Sequence, residues 1–212
     1  MMLLVSMFDQ AWRPFFLAHA KEPDAKQTFA RVFTCFVALG TWFLLGLSFL
    51  MPPIIQSNLF GNFHLISPNY WSGLQVIPCV LTGYFFYGLY VNFMVGPVMT
   101  KKTRVLLWIT LLGALTSITT NLTLVPYIGI LGAGWAVALS YGAMALALFC
   151  FTQKHYTLPY EYKKLAGLAV ACILTAIVVH IVSKNAPQAA LLVKVVLLSI
   201  YPVWIGLALK KA

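Results

Sequence analysis

In 212 residues, hydrophobic side chains make up 61% and charged ones 8%, and fourteen Lys and Arg against four Asp and Glu leave a net charge of +10. A soluble domain carries roughly 25% charged residues, so this composition does not furnish a water-facing surface, and nucleic-acid binding is the poorer explanation of the positive charge. The chain reads as an all-α integral membrane protein whose solvent is the bilayer.

A hydrocarbon core about 30 Å thick takes roughly 20 helical residues to cross. Seven apolar stretches approach or exceed that length. The first, Leu3–Ala20, begins like a signal peptide but has no basic n-region, and Asp9 and Arg13 interrupt the place of an h-region. These two are the only charged pair within a span, and their i, i+4 spacing puts them on one helix face. An ionisable group at this depth costs about 2.5–3.5 kcal/mol on insertion scales, so the pair is expected to face a polar cavity or a partner. It is either a functional site or a self-neutralised structural pair, with Arg13 reaching toward the headgroups. His19 and Asp24, where this span ends, form an H-x4-D pair of the kind membrane glycerol-phosphate acyltransferases use, with His as general base. The other sequence blocks of that family are missing.

The second and third spans, Phe29–Ile55 and Tyr70–Val98, are long enough to tilt or bend. Pro52–Pro53 and Gly96–Pro97 are expected to close them, and Pro78 to break one ladder bond inside the third and bend it. Beyond Pro78 stand Tyr84, Phe85, Phe86, Tyr87, Tyr90 and Asn92, which can stack on sugar rings and bond their hydroxyls, or serve packing and the interfacial belt. The fourth and fifth spans are Val105–Tyr127 and Gly129–Phe151. Pro126 is expected to end one, and the glycines from Gly129 to Gly134 to open the next. Their spacing is wrong for a nucleotide loop and no strand precedes them, whereas Gly132, Ala133, Gly134, Ala136 and Ala138 suit close helix approach. Leu165–Ser183 and Ala190–Leu209 complete the set.

Cys35, Cys79, Cys150 and Cys172 all fall within spans without metal-ligand spacing and are expected to be buried small residues. No metal or cofactor is expected. Neither a hydrolase triad nor a Walker loop, deaminase or zincin motif marks an enzyme.

Basic residues cluster in alternate connections. Lys21, Lys26 and Arg31 fall at the first, Lys101, Lys102 and Arg104 at the third, Lys154, Lys163 and Lys164 at the fifth, and Lys210 and Lys211 in the tail, eleven of fourteen in all. The connections Gln56–Asn69, Asn121–Gly129 and Lys184–Gln188 carry only Lys184. Because short cytoplasmic connections retain Lys and Arg, the expected topology is seven transmembrane helices with the N-terminus outside and the C-terminus inside. Arg31, Lys101, Lys102 and Arg104 can line a basic cytoplasmic entrance for an anionic substrate, or simply anchor the topology and contact membrane lipid.

Two stretches carry a family resemblance. One runs from Gly88 to Lys164 and reads GLYVNFMVGPVMTKKTR, then a helix with Asn121, then LVPYIGILGAGWAVALSYGAMAL and QKHYTLPYEYKK. The other is FDQAWRPFFLAHAKEPDAKQTFARVF, near the start. They resemble the C-terminal half of the polysaccharide and O-antigen flippases, the Wzx-type branch of the multidrug/oligosaccharidyl-lipid/polysaccharide exporter superfamily. Members of that family typically have fourteen helices, in two six-helix lobes and a further pair, so the resemblance implies that this chain corresponds to the eighth to fourteenth, a single transmembrane domain over 1–212. An eighth helix enters from outside, in agreement with the charge count.

The resemblance further implies a bacterial inner-membrane protein, not an enzyme, that moves an isoprenoid-diphosphate-linked oligosaccharide to the outer leaflet. Arg13, Asp9, Tyr87 and Asn92 would be its cavity residues. It also implies an N-terminal lobe as partner. The alternatives are an inactive truncated product, a structural subunit that needs a separate N-terminal half, and the acyltransferase suggested by His19 and Asp24.

Overall fold

The computed structural model of the chain describes residues 1–56, 67–185 and 187–210. Residues 57–66 of the expected connection Gln56–Asn69, residue 186 of Lys184–Gln188 and Lys211 of the basic tail lie outside the described residues. Among those described, the chain is helical, without a strand. The helices are α1 (Met2–His19), α2 (Ala25–Gln56), a 3-10 helix (Pro68–Val76), α3 (Ile77–Phe93), α4 (Val95–Met99), α5 (Arg104–Ile128), α6 (Ile130–His155), α7 (Tyr162–Asn185) and α8 (Pro187–Lys210).

Five helical segments among the described residues are long and apolar enough to cross a membrane: Ala25–Gln56, Tyr70–Met99, Arg104–Ile128, Ile130–His155 and Tyr162–Lys184. Leu192–Pro202 is a shorter apolar stretch of α8. The first helix is not among the five, because Asp9, Gln10 and Arg13 dilute its apolar run. The outer faces agree with a multi-pass membrane protein. Leu107, Trp108 and Leu122 on α5 are 71%, 67% and 73% exposed, more contiguous apolar surface than a water-soluble fold presents.

Contacts group the chain into two compact units, 1–33 with 72–159, and 34–71 with 160–212. In the first, α6 packs against both α3 and α5. Small residues make that possible. A Cβ on Gly132 would meet the α5 backbone at Leu124 and Val125 within 2.8 Å, and one on Gly83 would meet the α6 backbone at Val137 and Ala138 within 3.1 Å. Gly132, Gly134, Ala136 and Ala138 are buried, so close helix approach is what this glycine-rich run does. Gly129 alone connects α5 to α6, at φ +57°, a conformation only glycine adopts without strain.

Several prolines act differently from expectation. Pro78 does not bend a helix interior. It lies in the first turn of α3, where its missing N–H has no ladder partner to lose, and the nine residues before α3 form the 3-10 helix. The interruption of this span falls instead at Met94, between α3 and α4, where the Met94 N–H bonds Val91 O at 3.3 Å. Nor do Pro52 and Pro53 close α2, which continues to Gln56, since the fixed φ of proline is itself helical. Likewise α5 runs past Pro126 to Ile128, and Gly129 makes the turn.

The cysteines also differ from expectation: Cys35 and Cys150 are exposed, Cys79 and Cys172 half-buried, and all four are free. Cys35 and Cys150 lie on outward helix faces, where an apolar thiol suits hydrocarbon as well as it suits a core, while Cys79 packs near Gly134 of α6.

The second unit joins the later part of α2 to α8. Trp42 Nε1 donates to Leu198 O at 2.9 Å, and Tyr201 OH donates to Thr41 Oγ1 at 3.0 Å. Thr41 passes its own proton back to Val37 O at 2.8 Å, as intramembrane hydroxyls do when no water is at hand. Beside these bonds, α2 carries an open groove of about 290 Å³ bounded by Trp42, Phe43, Gly46, Leu47 and Leu198. Its lining is apolar and offers nothing to recognise a phosphate or a sugar.

Candidate functional site

Helical spacing alone brings Asp9 and Arg13 together. Arg13 Nε donates to Asp9 Oδ1 at 2.8 Å, and the second arm of the fork, Nη2, lies 3.9 Å from Met94 Sδ at the α3–α4 break. The pair is lopsided in its burial. Asp9 is 20% exposed and Arg13 54%, so the carboxylate is tucked against the bundle while the guanidinium projects from it. One edge of that fork is thus committed to Asp9, and the rest of a planar donor set suited to phosphate or carboxylate remains presented outward.

Tyr87 and Tyr90 of α3 are close enough to Arg13 to interact with it electrostatically. Their rings stack at 6.2 Å, and Tyr87 also meets Tyr141 of α6 at 5.1 Å, with Tyr84 at 6.3 Å from Tyr141. The Tyr90 hydroxyl reaches the Thr110 side chain of α5. Four phenols from two helices therefore form a ladder whose Tyr87 and Tyr90 lie beside the exposed Arg13. Ser117 and Asn121, seven and eleven residues after Thr110, share its face of α5, and Asn121 Nδ2 bonds Ser117 O at 2.8 Å.

Of the four residues singled out as cavity candidates, Arg13, Asp9 and Tyr87 come together. Asn92 does not. It lies five residues beyond Tyr87, roughly 140° around α3, and is 3% exposed. Its Nδ2 donates to Gly88 O at 2.9 Å, and its Oδ1 is buried without a partner. Tyr141 was missed, although it is the one tyrosine of α6, set in a run of small residues where a large polar ring has to point somewhere.

The basic candidates lie elsewhere. Arg31, Lys101, Lys102 and Arg104 are all exposed, and Lys101 turns the chain at φ +56°. They share one end of the first unit with the close of α6. Lys26 Nζ sits 5.0 Å over the Tyr156 ring just past α6, and Phe33 packs on Phe93 at 5.1 Å, shortly before the Lys101–Arg104 turn. Burial raises the Tyr156 phenol above its ordinary value, so the ring stays neutral beneath the ammonium.

His19 stacks on Phe15 at 4.3 Å and its Nδ1 lies 2.9 Å from Phe15 O. Asp24 is exposed, its backbone carbonyl accepting from Gln27 and Thr28 as α2 begins. No hydrogen bond or ion pair joins the two, so the geometry does not assemble the acyltransferase pair.

Compared with protein-family models, curated proteins and solved structures, the chain matches none of them. The resemblance to polysaccharide flippases accordingly rests on the residues that suggested it.

Proposed function

We propose that this chain is part of a flippase for a lipid-linked oligosaccharide, a multi-pass protein of the bacterial inner membrane that crosses it seven times with its N-terminus outside and its C-terminus inside. A glycan with many hydroxyls and a diphosphate does not cross hydrocarbon unaided and needs a wet, partly basic path. The observation that carries this reading is the half-exposed Arg13, held by Asp9 beside Tyr87 and Tyr90, with Tyr141 and Tyr84 continuing the row of rings. A guanidinium recognises phosphate oxygens, and tyrosines stack on sugar faces while bonding their hydroxyls. The grouping of the basic connections at one end of the first unit supports the topology, since helices whose connections alternate in charge present their basic ends on one side.

The test is complementation of a bacterium that lacks its own polysaccharide flippase, with this chain alone and with an N-terminal lobe supplied beside it. In the version that restores surface polysaccharide, Arg13→Ala is expected to lower export about tenfold or more at equal membrane abundance, the loss of one charged contact to substrate. Normal export by that variant removes Arg13 from the site, and no export from either version removes the flippase reading. Orientation is tested separately by labelling Lys102→Cys and Tyr127→Cys in intact cells. The external reagent is expected to reach Tyr127→Cys only.

A further inference from the structure

The middle of α1 carries a stripe of polar side chains. Ser6, Asp9, Gln10 and Arg13 recur at helical spacing, so they share one face. Three of them find partners within the helix: Ser6 Oγ donates to Leu3 O at 3.0 Å, and Arg13 and Asp9 hold each other. Gln10 is exposed, and its carboxamide has no hydrogen-bond partner among the described residues. Asn92 and Asn121 behave differently, each turning Nδ2 back onto the carbonyl four residues earlier, at 2.9 and 2.8 Å. In hydrocarbon an unpaired carboxamide is costly, so Gln10 calls for a polar occupant beyond its own helix.

The neighbours of Gln10 define the chemistry of that occupant. Gln10 stands three residues before Arg13, about 4.5 Å along the axis of α1. Arg13 keeps an outward donor edge for an anion, and the half-buried Tyr87 lies within its electrostatic reach. Guanidinium, carboxamide and phenol ring together complement an anion with a sugar attached. Phosphate oxygens take the guanidinium fork, the donor and acceptor of a carboxamide match two neighbouring hydroxyls, and the ring offers its face to the C–H side of a pyranose. We propose that Gln10 and Tyr87 form a saccharide subsite, with Gln10 bonding two adjacent hydroxyls of the first sugar in a sugar diphosphate whose phosphates rest on Arg13. The subsite rests on the functional reading above and adds to it the groups that read the sugar.

The experiment measures binding to the full chain in bilayer discs, with two kinds of probe of equal charge. One is farnesyl methyl diphosphate; the others carry glucose, galactose or N-acetylglucosamine in place of the methyl group. At least one sugar ester is expected to bind about tenfold more tightly than the methyl ester, the difference that two hydrogen bonds make. Gln10→Met keeps the length of the side chain and removes both hydrogen-bonding ends. It is expected to erase that gain and to leave the affinity for the methyl ester unchanged. Gln10→Asn, one methylene shorter, is expected to lose most of the gain and serves where Gln10→Met does not accumulate. Tyr87→Leu is expected to reduce the gain about threefold or more, and Arg13→Gln to weaken methyl and sugar esters alike.

Sugar esters that bind no more tightly than the methyl ester overturn the subsite, as does a sugar gain that survives Gln10→Met. A Gln10→Met change that weakens both kinds of ester alike also overturns it, and is the result that contact of Gln10 with a helix of a partner or of a second copy gives. In each case a methyl ester that still depends on Arg13 leaves the anion reading standing. If none of the esters binds, the functional reading falls and the subsite falls with it.

Discussion

Trp42 Nε1 donates to the carbonyl of Leu198, the one carbonyl of α8 that Pro202, four residues further on, leaves without its ladder donor. The arrangement repeats in the second unit what Thr152 does for Phe93 in the first. In both places a side chain from a distant part of the chain donates to a carbonyl of another helix. Trp42→Phe keeps the ring and removes the donor, and is expected to destabilise the protein by about 1–2 kcal/mol. Pro202→Ala in the same chain is expected to recover most of the loss. Unfolding titrations in mixed micelles measure both.

Tyr201→Phe removes the proton that Tyr201 gives Thr41, both residues being buried. Because Thr41 still donates to its own helix, the expected loss is small, about 0.6–1.7 kcal/mol, the range for hydrogen bonds between membrane helices. Thr41→Val, which removes the acceptor of that bond, is expected to cost a similar amount in the same assay.

Gly132→Leu drives a side chain into the backbone of Leu124 and Val125, and Gly83→Leu into that of Val137 and Ala138. Each is expected to separate its helix pair, with a loss of several kcal/mol or failure to accumulate in the membrane. Gly73→Ala, where a Cβ meets nothing within 4 Å, is the matched control and is expected to be near neutral.

Tyr160, in the connection before α7, is 6% exposed, and burial raises its phenol well above the ordinary value of about 10. The sign follows from proton binding. Below about pH 10 both folded and unfolded forms keep the proton, and the full contribution is present. Above it the unfolded chain ionises while the folded one resists, so stability falls as pH rises. Tyr160→Phe is expected to flatten that alkaline decline, measured as unfolding midpoint against pH between about 9 and 11.

Much of this architecture is written in local pattern. The i, i+4 spacing of Asp9 and Arg13 gives their ion pair directly, because helix geometry alone decides which side chains meet. The glycines from Gly129 to Gly134 give the turn and the close packing of α6, since no other residue tolerates either. Tyr87 was legible as a polar aromatic in an apolar span. What a single sequence withholds is the azimuth of one helix against another, so Tyr141 was missed and Asn92, equally polar, was placed with a cluster it turns away from. Thr152, which donates to Phe93 O, lies 59 residues beyond it, a distance no periodicity encodes. Pro78 misled for another reason: whether a proline kinks or merely starts a helix depends on the conformation of the residues before it.

The lone residue Gly129 also bears on how the chain is made. With nothing but a glycine to link them, α5 and α6 leave the ribosome as one rigid hairpin, and there is no loop for the insertion machinery to thread across on its own. The threonines and asparagine of α5 therefore partition together with α6, and the bilayer accepts or rejects the two helices as a single package.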